Sequence, residues 1–339
     1  MTRVLVTGAA GFIGSHLCES LLQRGCAVRA LDAFTTFYDP SRKRANIERL
    51  RGRPGFELVT ADLVTSPLEE ALEGVDVVAH LAGEPGVSTS WGHSFNRYLD
   101  RNVLATQRLL EAVSAVGVQR VVYASSSSVY GVETDALRAR GEPRPASPYG
   151  VSKLAAETLV GAYAYSYGVP AVSLRYFSVY GPRQRPDMAA HRFIEALLDN
   201  QPLQLFGDGR QVRDFTYVGD VVDATVRALF ADLPPAAVLD VASGHPTSVS
   251  TLIEHLRDLV GGGAARLEVC DERPGDVPRT EGNIVTARAH LGWSPRTDLR
   301  TGLMRQVAWH MGMRNGSRAS DEVLSPPGDG ALVPMAGGQ

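Results

Sequence analysis

The sequence predicts an α/β fold, a doubly wound parallel sheet with a smaller C-terminal α/β lobe. Three observations predict it. Short Val-rich apolar runs alternate with longer segments whose apolar residues recur at helical spacing. The runs are continuous rather than alternating, as expected of strands covered on both faces. A glycine-rich turn, V-T-G-A-A-G-F-I-G-S, joins the first run to the first helical segment.

Taken in order, strands are expected at Val4–Val6, Ala27–Leu31, Phe56–Val59, Val75–Ala79, Val121–Ala124, Ala171–Leu174 and Val238–Val241. Helices are expected at Phe12–Gln23, Asn102–Val116 and Tyr149–Tyr167. The second of these carries Val103, Leu104, Leu109, Leu110 and Val113 at helical spacing. No internal repeat is visible. From about Asn315 onward, N-G-S-R-A-S and the Pro/Gly-rich end lack periodicity, so 315–339 is expected to be a disordered tail.

The glycines of the first turn have a use. Gly8, Gly11 and Gly14 follow a strand and open a helix. A tight turn, a pyrophosphate close to the backbone, and close helix–sheet packing all call for glycine, and the helix N-terminus then presents free N–H groups. Asp32 ends the second strand, 18 residues after Gly14. A carboxylate there accepts hydrogen bonds from an adenosine ribose and repels a 2′-phosphate, which favours NAD over NADP. Asp62, in T-A-D-L, either meets the adenine or caps a local turn.

The segment S-P-Y-G-V-S-K sets Tyr149 and Lys153 one helical turn apart. Lys43 and Lys153 are the only lysines, the other basic residues being Arg. A Lys retained in such a composition suits a place that needs a compact ammonium beside a titrating group. The expectation is that it lowers the tyrosine's pKa and makes a general base.

Composition excludes several classes. With 44% hydrophobic and 21% charged residues, the 339-residue chain reads as globular. A net charge of −3 gives no footprint for nucleic acid or an anionic membrane. Cys18, Cys26 and Cys270 show neither C-x-x-C spacing nor an even count, and no histidine set has metal-ligand spacing, so no metal is expected. The N-terminus is too briefly apolar for a signal peptide, and no run approaches a membrane span. A cytoplasmic protein is expected. His16 and His80 are read as structural.

Together, Gly8-x-x-Gly11-x-x-Gly14 and Tyr149-x-x-x-Lys153 resemble the extended short-chain dehydrogenase/reductases. The resemblance runs from residue 2 to about 311. H-L-A at His80–Ala82, S-S-V-Y-G at Ser127–Gly131, R-Y-F-S-V-Y-G-P-R at Arg175–Arg183 and R-D-F-T-Y-V-G-D at Arg213–Asp220 are similar to the nucleotide-sugar epimerases. The resemblance implies a Rossmann-type domain over 1–175, also receiving segments near 210–245, and a nucleotide-sugar lobe mainly over 176–314. It implies a catalytic set of Ser126, Tyr149 and Lys153. Bound NAD would meet Gly8, Gly11, Phe12, Ile13, Gly14, Asp32, Asp62, Leu63, Leu81, Ala82, Tyr149, Lys153 and Tyr176. A UDP-sugar would meet Gln204 and Phe206 near the base and Arg192, Arg213 and Arg273 near the phosphates. A homodimer through the helices matching Asn102–Val116 and Tyr149–Tyr167 is implied by the same likeness.

The implied reaction is oxidation at C4, turning of the 4-keto sugar, and reduction from the other face. Related dehydratases carry an Asp-Glu pair where this chain has Ser127 and Ser128, so elimination lacks its proton carriers. Gly181–Ala189 (G-P-R-Q-R-P-D-M-A) and Ser178 resemble UDP-glucuronate 4-epimerases. That likeness sets Ser127, Ser128, Ser178 and Arg185 around the sugar, with the hydroxyls near the C5 carboxylate. Ser88, where those enzymes commonly have Arg, departs from the pattern and leaves UDP-glucose 4-epimerase as the alternative. A dehydratase or decarboxylase, and a non-catalytic NAD-binding sensor, are the remaining readings, since fold does not fix function; the intact Ser126/Tyr149/Lys153 set argues against the sensor.

Overall fold

In the computed structural model, which describes residues 1–132, 142–261 and 266–315, the seven expected strands pair in one sheet. Six come early: β1 (Arg3–Thr7), β2 (Ala27–Asp32), β3 (Phe56–Thr60), β4 (Val77–His80), β5 (Arg120–Ser126) and β6 (Ala171–Tyr176). The short β7 (Val179–Tyr180), β8 (Leu203–Phe206), β9 (Val212–Arg213) and β10 (Thr216–Tyr217) lie outside this sheet, and β11 (Val238–Val241) returns to it. The order is β11-β6-β5-β4-β1-β2-β3, and every pairing is parallel. The order reverses between β1 and β4, so a crevice opens beyond their C-terminal ends.

Helices cover both faces. They are α1 (Phe12–Gln23), α2 (Pro40–Glu48), α3 (Glu69–Leu72), α4 (Phe95–Tyr98), α5 (Ala105–Val116), α6 (Pro148–Tyr167), α7 (Ala189–Leu198), α8 (Val218–Phe230), α9 (Val249–Val260), α10 (Val285–Leu291) and α11 (Leu299–Arg314). One core layer joins Val4, Val6, Leu17, Leu21, Val221 and Leu229, uniting β1 with α1 and α8. The opposite layer joins Leu5, Val78, Leu109, Val113 and Val160, uniting the sheet with α5 and α6. Alternate residues of one strand thus feed two cores, which is why these strands read as unbroken apolar runs.

The C-terminal lobe is built from small sheets. β13 (Leu267–Cys270) pairs in parallel with β8, and β12 (Thr247–Ser248) pairs antiparallel with β9. Helix α9 packs on α7 and α11. Two-residue strands carry too little pattern to be seen in a sequence.

One helix differs from expectation. The segment expected to begin at Asn102 begins at Phe95, and Leu99–Leu104 is a π-helical stretch between α4 and α5. Helix α6 starts at Pro148, capped by Ser147, whose hydroxyl accepts from Gly150 N at 3.1 Å. Pro at the first helical position suits an N–H that has no partner there anyway. Apart from Asn315, the expected tail 315–339 lies outside the described residues. Among the described residues, no helix is long and apolar enough to cross a membrane.

Candidate active site

A cleft of about 740 Å³ opens beyond the strand ends and is lined from both lobes. At one end is the glycine turn. Gly8 sits at φ +67°, and a Cβ on Gly14 would lie 2.2 Å from Gly8 O. No other residue fits at that crossing of turn and helix. Asp32 is buried at the end of β2, where its carboxylate accepts from Ala10 N at 3.0 Å and Phe34 N at 2.8 Å. It is thereby locked at the turn's edge. Asp62 accepts from Val64 N at 2.9 Å and pairs with Arg101 at 2.5 Å, so the local turn role is filled. Phe12, Ile13, Leu63, Leu81, Ala82 and Tyr176 complete this part of the wall. The Tyr176 hydroxyl is engaged with Thr225 at 2.7 Å. A glycine cradle, a helix N-terminus and a fixed carboxylate fit a dinucleotide.

Ser126, Tyr149 and Lys153 meet in the middle of the cleft. Ser126 is the last residue of β5, and its side chain hydrogen-bonds Tyr149. Gly150 explains how α6 comes so near β5: a Cβ there would lie 2.4 Å from Ser128 O. Lys153 is buried, donates to Ala124 O at 2.5 Å, and sits 4.4 Å from the Tyr123 ring centroid. Behind them runs a polar chain. Ser125 Oγ donates to Glu157 at 2.6 Å, Arg175 grips both oxygens of Glu157, and Arg175 Nη1 donates to Tyr130 OH at 2.7 Å. Tyr130 then donates to Asp240 at 2.8 Å. This chain ties α6, β5, β6 and β11 together and fixes the register of Tyr149 against Ser126.

The expected direction of the Tyr149 pKa is corrected here. Burial raises it above the ordinary tyrosine value, against the Ser126 hydrogen bond and the nearby Arg185. Burial also drops the value of Lys153 itself, to about 7.

The cleft wall also holds Ser127, Ser128, Ser178, Arg185, Arg192 and Arg273. Arg185 is gripped by Asp187, Nε to Oδ1 and Nη2 to Oδ2, each at 3.0 Å. Gln204, Phe206 and Arg213 do not form the wall. Gln204 is exposed and accepts from Arg192 at 3.1 Å. Phe206 lies under Arg273, whose guanidinium is 3.5 Å from the ring centroid, with Arg192 at 5.2 Å. Arg213 pairs with Asp276, itself a wall residue. These three stand one layer behind the residues that face the cleft.

The model for the NAD dependent epimerase/dehydratase family matches residues 4–241. The chain belongs to that family. A protein of Bacillus subtilis (strain 168) named as an uncharacterized UDP-glucose epimerase, YtcB, is 41% identical over 315 residues, covering 93% of this chain and 99% of the relative. A UDP-glucuronate 4-epimerase of Thermodesulfobacterium geofontis (strain OPF15) is 36% identical, covering 91% of this chain and 96% of the relative. The crystal structure of a UDP-glucuronic acid 4-epimerase from Bacillus cereus, in complex with UDP-glucuronic acid and NAD, superposes with TM-score 0.89 at 39% identity, covering 92% of this chain and all of that one.

Several residues of this epimerase-family cleft were not picked out from the sequence. Lys43 is buried in its wall, donating to Thr35 O and Oγ1 at 3.0 Å; burial lowers its pKa below the ordinary lysine value, against the opposing pull of Asp32 and Glu84. The rarity of lysine that drew attention to Lys153 applied equally to Lys43. Asn102 accepts from Glu84 N at 2.7 Å and donates to Glu84 O and to Ser152 Oγ, so the π-helical stretch pins the loop after β4 to α6. His16 contacts Pro182 O at 2.9 Å, and His80 sits between Thr7 and Thr106; burial lowers them to about 4 and about 3, which suits neutral packing roles.

The sequence showed no histidine set with metal spacing, yet His191, Glu195 and His310 gather between α7 and α11. His310 bonds one Glu195 oxygen and Arg314 the other at 2.5 Å, holding that carboxyl down at about 2. The cluster already carries its own cation and reads as a staple between the two helices.

Proposed function

We propose that this protein is an NAD-dependent isomerase, a 4-epimerase that interconverts UDP-glucuronate and UDP-galacturonate. The observation that carries the reading is Arg185, a guanidinium on the cleft wall close enough to Tyr149 to favour the tyrosinate, with Ser127, Ser128 and Ser178 lining the same cleft. A sugar with a carboxylate at C5 gives those donors an anionic partner. NAD, when bound, supplies a reversible hydride acceptor for C4. Gly8, Gly11 and Gly14 would hold its pyrophosphate, and Asp32 and Lys43 its adenosine side.

Tyr149 would take the proton from the 4-hydroxyl and return it after the sugar has turned. Ser126 would orient the tyrosine and donate to the C4 oxygen. The Lys153 ammonium, costly in its buried site, would stabilise the tyrosinate as it forms. The hydroxyls and Arg185 would hold the carboxylate out of line with the C4 carbonyl, which opposes loss of CO2 from a β-keto acid. Arg192 and Arg273 would take the diphosphate. Phe206 and Gln204, behind them, would shape the base end, and Arg213 would steady the Asp276 segment.

The test is kcat/KM for UDP-glucuronate and UDP-glucose, on wild type and on Ser178→Asn. Wild type should prefer the acidic sugar, by about tenfold or more if one charge-assisted hydrogen bond is lost with UDP-glucose. Ser178→Asn should narrow that preference. Equal efficiency on both sugars would favour the second reading, a UDP-glucose 4-epimerase. That reading draws on Ser88, an exposed wall residue where glucuronate epimerases commonly have Arg, and on the name of the B. subtilis relative.

Cytoplasmic residence and a homodimer through α5 and α6 complete the proposal. The first is supported by three free cysteines. The second is supported by exposed Val116, Val151, Tyr165 and Tyr167 on those helices.

A further inference from the structure

The Arg185–Asp187 pair sits inside the cleft, on the wall that also carries Tyr149 and Ser178. It is a two-bond fork, the geometry an arginine offers to any carboxylate. Asp187 is two residues along the same loop, and its side chain keeps 37% of its exposure while Arg185 keeps 22%. An incoming sugar carboxylate that takes the Nε/Nη2 edge therefore competes with Asp187 for it. Both cannot fill it, because their like charges would lie side by side.

We propose that Asp187 is a positioning and specificity-determining residue: it lends Arg185 an internal carboxylate that the acidic sugar displaces, and it takes Arg185 back when the sugar turns. This rests on the proposed action on UDP-glucuronate. The reaction makes two demands on the C5 carboxylate. It must be held while C4 is a ketone, and it must let go for the ring to present its other face. A guanidinium with no other partner would hold the anion at both moments. One with a waiting aspartate exchanges partners instead, and the exchange costs little because the pair is partly in water. Asp187 thus weakens acidic-sugar binding and speeds the turn. A neutral sugar has no carboxylate to exchange.

The experiment is Asp187→Asn, with kcat and KM measured separately for UDP-glucuronate and UDP-glucose. For UDP-glucuronate, KM is expected to fall about three- to fivefold, the scale of a half-exposed charge pair, and kcat to fall with it. For UDP-glucose both should stay within about twofold. Asp187→Glu, which keeps the carboxylate, should retain the wild-type pattern. Asp187→Ser repeats the test in a second background, with melting temperature and bound NAD confirming the fold. A purely structural role would raise KM for both sugars alike, and that result overturns the inference. So does a higher KM for UDP-glucuronate in Asp187→Asn. Wild type that epimerises UDP-glucose but not UDP-glucuronate would overturn the proposed function itself, and this inference with it.

Discussion

Tyr149 and Lys153 show how far two residues can be read before their surroundings are known. Their helical spacing was legible, and so was their meeting with Ser126. The direction of the tyrosine's pKa was not, because it is set by how the folded chain buries the ring, with Tyr98 of α4, Ser126 of β5 and Arg185 of the loop after β7 among its neighbours. Tyr149→Phe keeps the ring and its edge-on contact with Tyr98, centroids 6.1 Å apart, and removes only the hydroxyl. It is expected to lower kcat by about 10²-fold or more, the usual cost of losing a general acid/base, with bound NAD retained. Near-normal turnover would rule Tyr149 out as the proton carrier.

Lys153 gives a stability prediction. Its folded value of about 7 lies below its ordinary 10.5. Between those limits the unfolded chain holds more protons, so this lysine's contribution becomes more favourable as pH rises from 7 toward 10. Lys153→Met removes the buried charge. It should raise stability at pH 7 and lose most of that advantage by pH 10, a change of about 3–4 kcal/mol. Denaturant titrations at the two pH values check it. An advantage that grows with pH would mean the lysine is not strained toward its neutral form.

At the scale of elements, the central strands were legible for a plain reason. Each is buried on both faces, so Val77–Ala79 or Val121–Ala124 had to be apolar without interruption. The β-strands of two residues in the second lobe left no such trace. Nor did the π-helical stretch, which carries the bonds Asn102 makes across the chain to Glu84 and Ser152. The His191–Glu195–His310 staple was hidden because two of its members lie 115 residues apart. The glycine turn was legible because its spacing reports one crossing. Gly14→Ala would push a methyl against Gly8 O, and α1 would have to back away from β1. The expected cost is about 1–3 kcal/mol of stability, with weaker retention of NAD. Melting temperature and the absorbance of released nucleotide report the two effects, and an Ala variant that keeps both would show that the turn has room to spare.

At the scale of the molecule, α5 and α6 lie side by side on one face of the sheet, and Tyr163 reaches from α6 to Gln107 and Glu111 on α5. Beyond that contact the pair presents exposed Val116, Val151 and Tyr165, apolar surface that a second copy would cover. Val151→Glu would set a charge in the middle of it. Light scattering is expected to give a dimer for wild type and 36.4 kDa monomers for the variant. Monomeric wild type would remove the proposed dimer.

The two lobes are bound by more than the cleft. Arg183, from the segment after β7, donates to both oxygens of Glu19 and to Ser15 on α1, and His16 meets Pro182 O beside it. This joint is buried, so the walls of the cleft share a common floor.

The position of β11 at the margin of the sheet sets the order in which the protein can be completed. Synthesis delivers β6 long before its neighbour, and the chain between them carries β7, β8, β9 and β10, of which only β7 and β10 can pair before β11 arrives. Until Val241 has emerged, the nascent sheet ends in Ala171–Tyr176 with one row of backbone N–H and C=O groups unpaired, on a strand buried along its whole length in the finished protein. Such an edge invites pairing with other chains. The half-made molecule is therefore most exposed to misassembly at the very strand whose end carries Tyr176 into the cofactor cleft, and the arrival of β11 closes that edge.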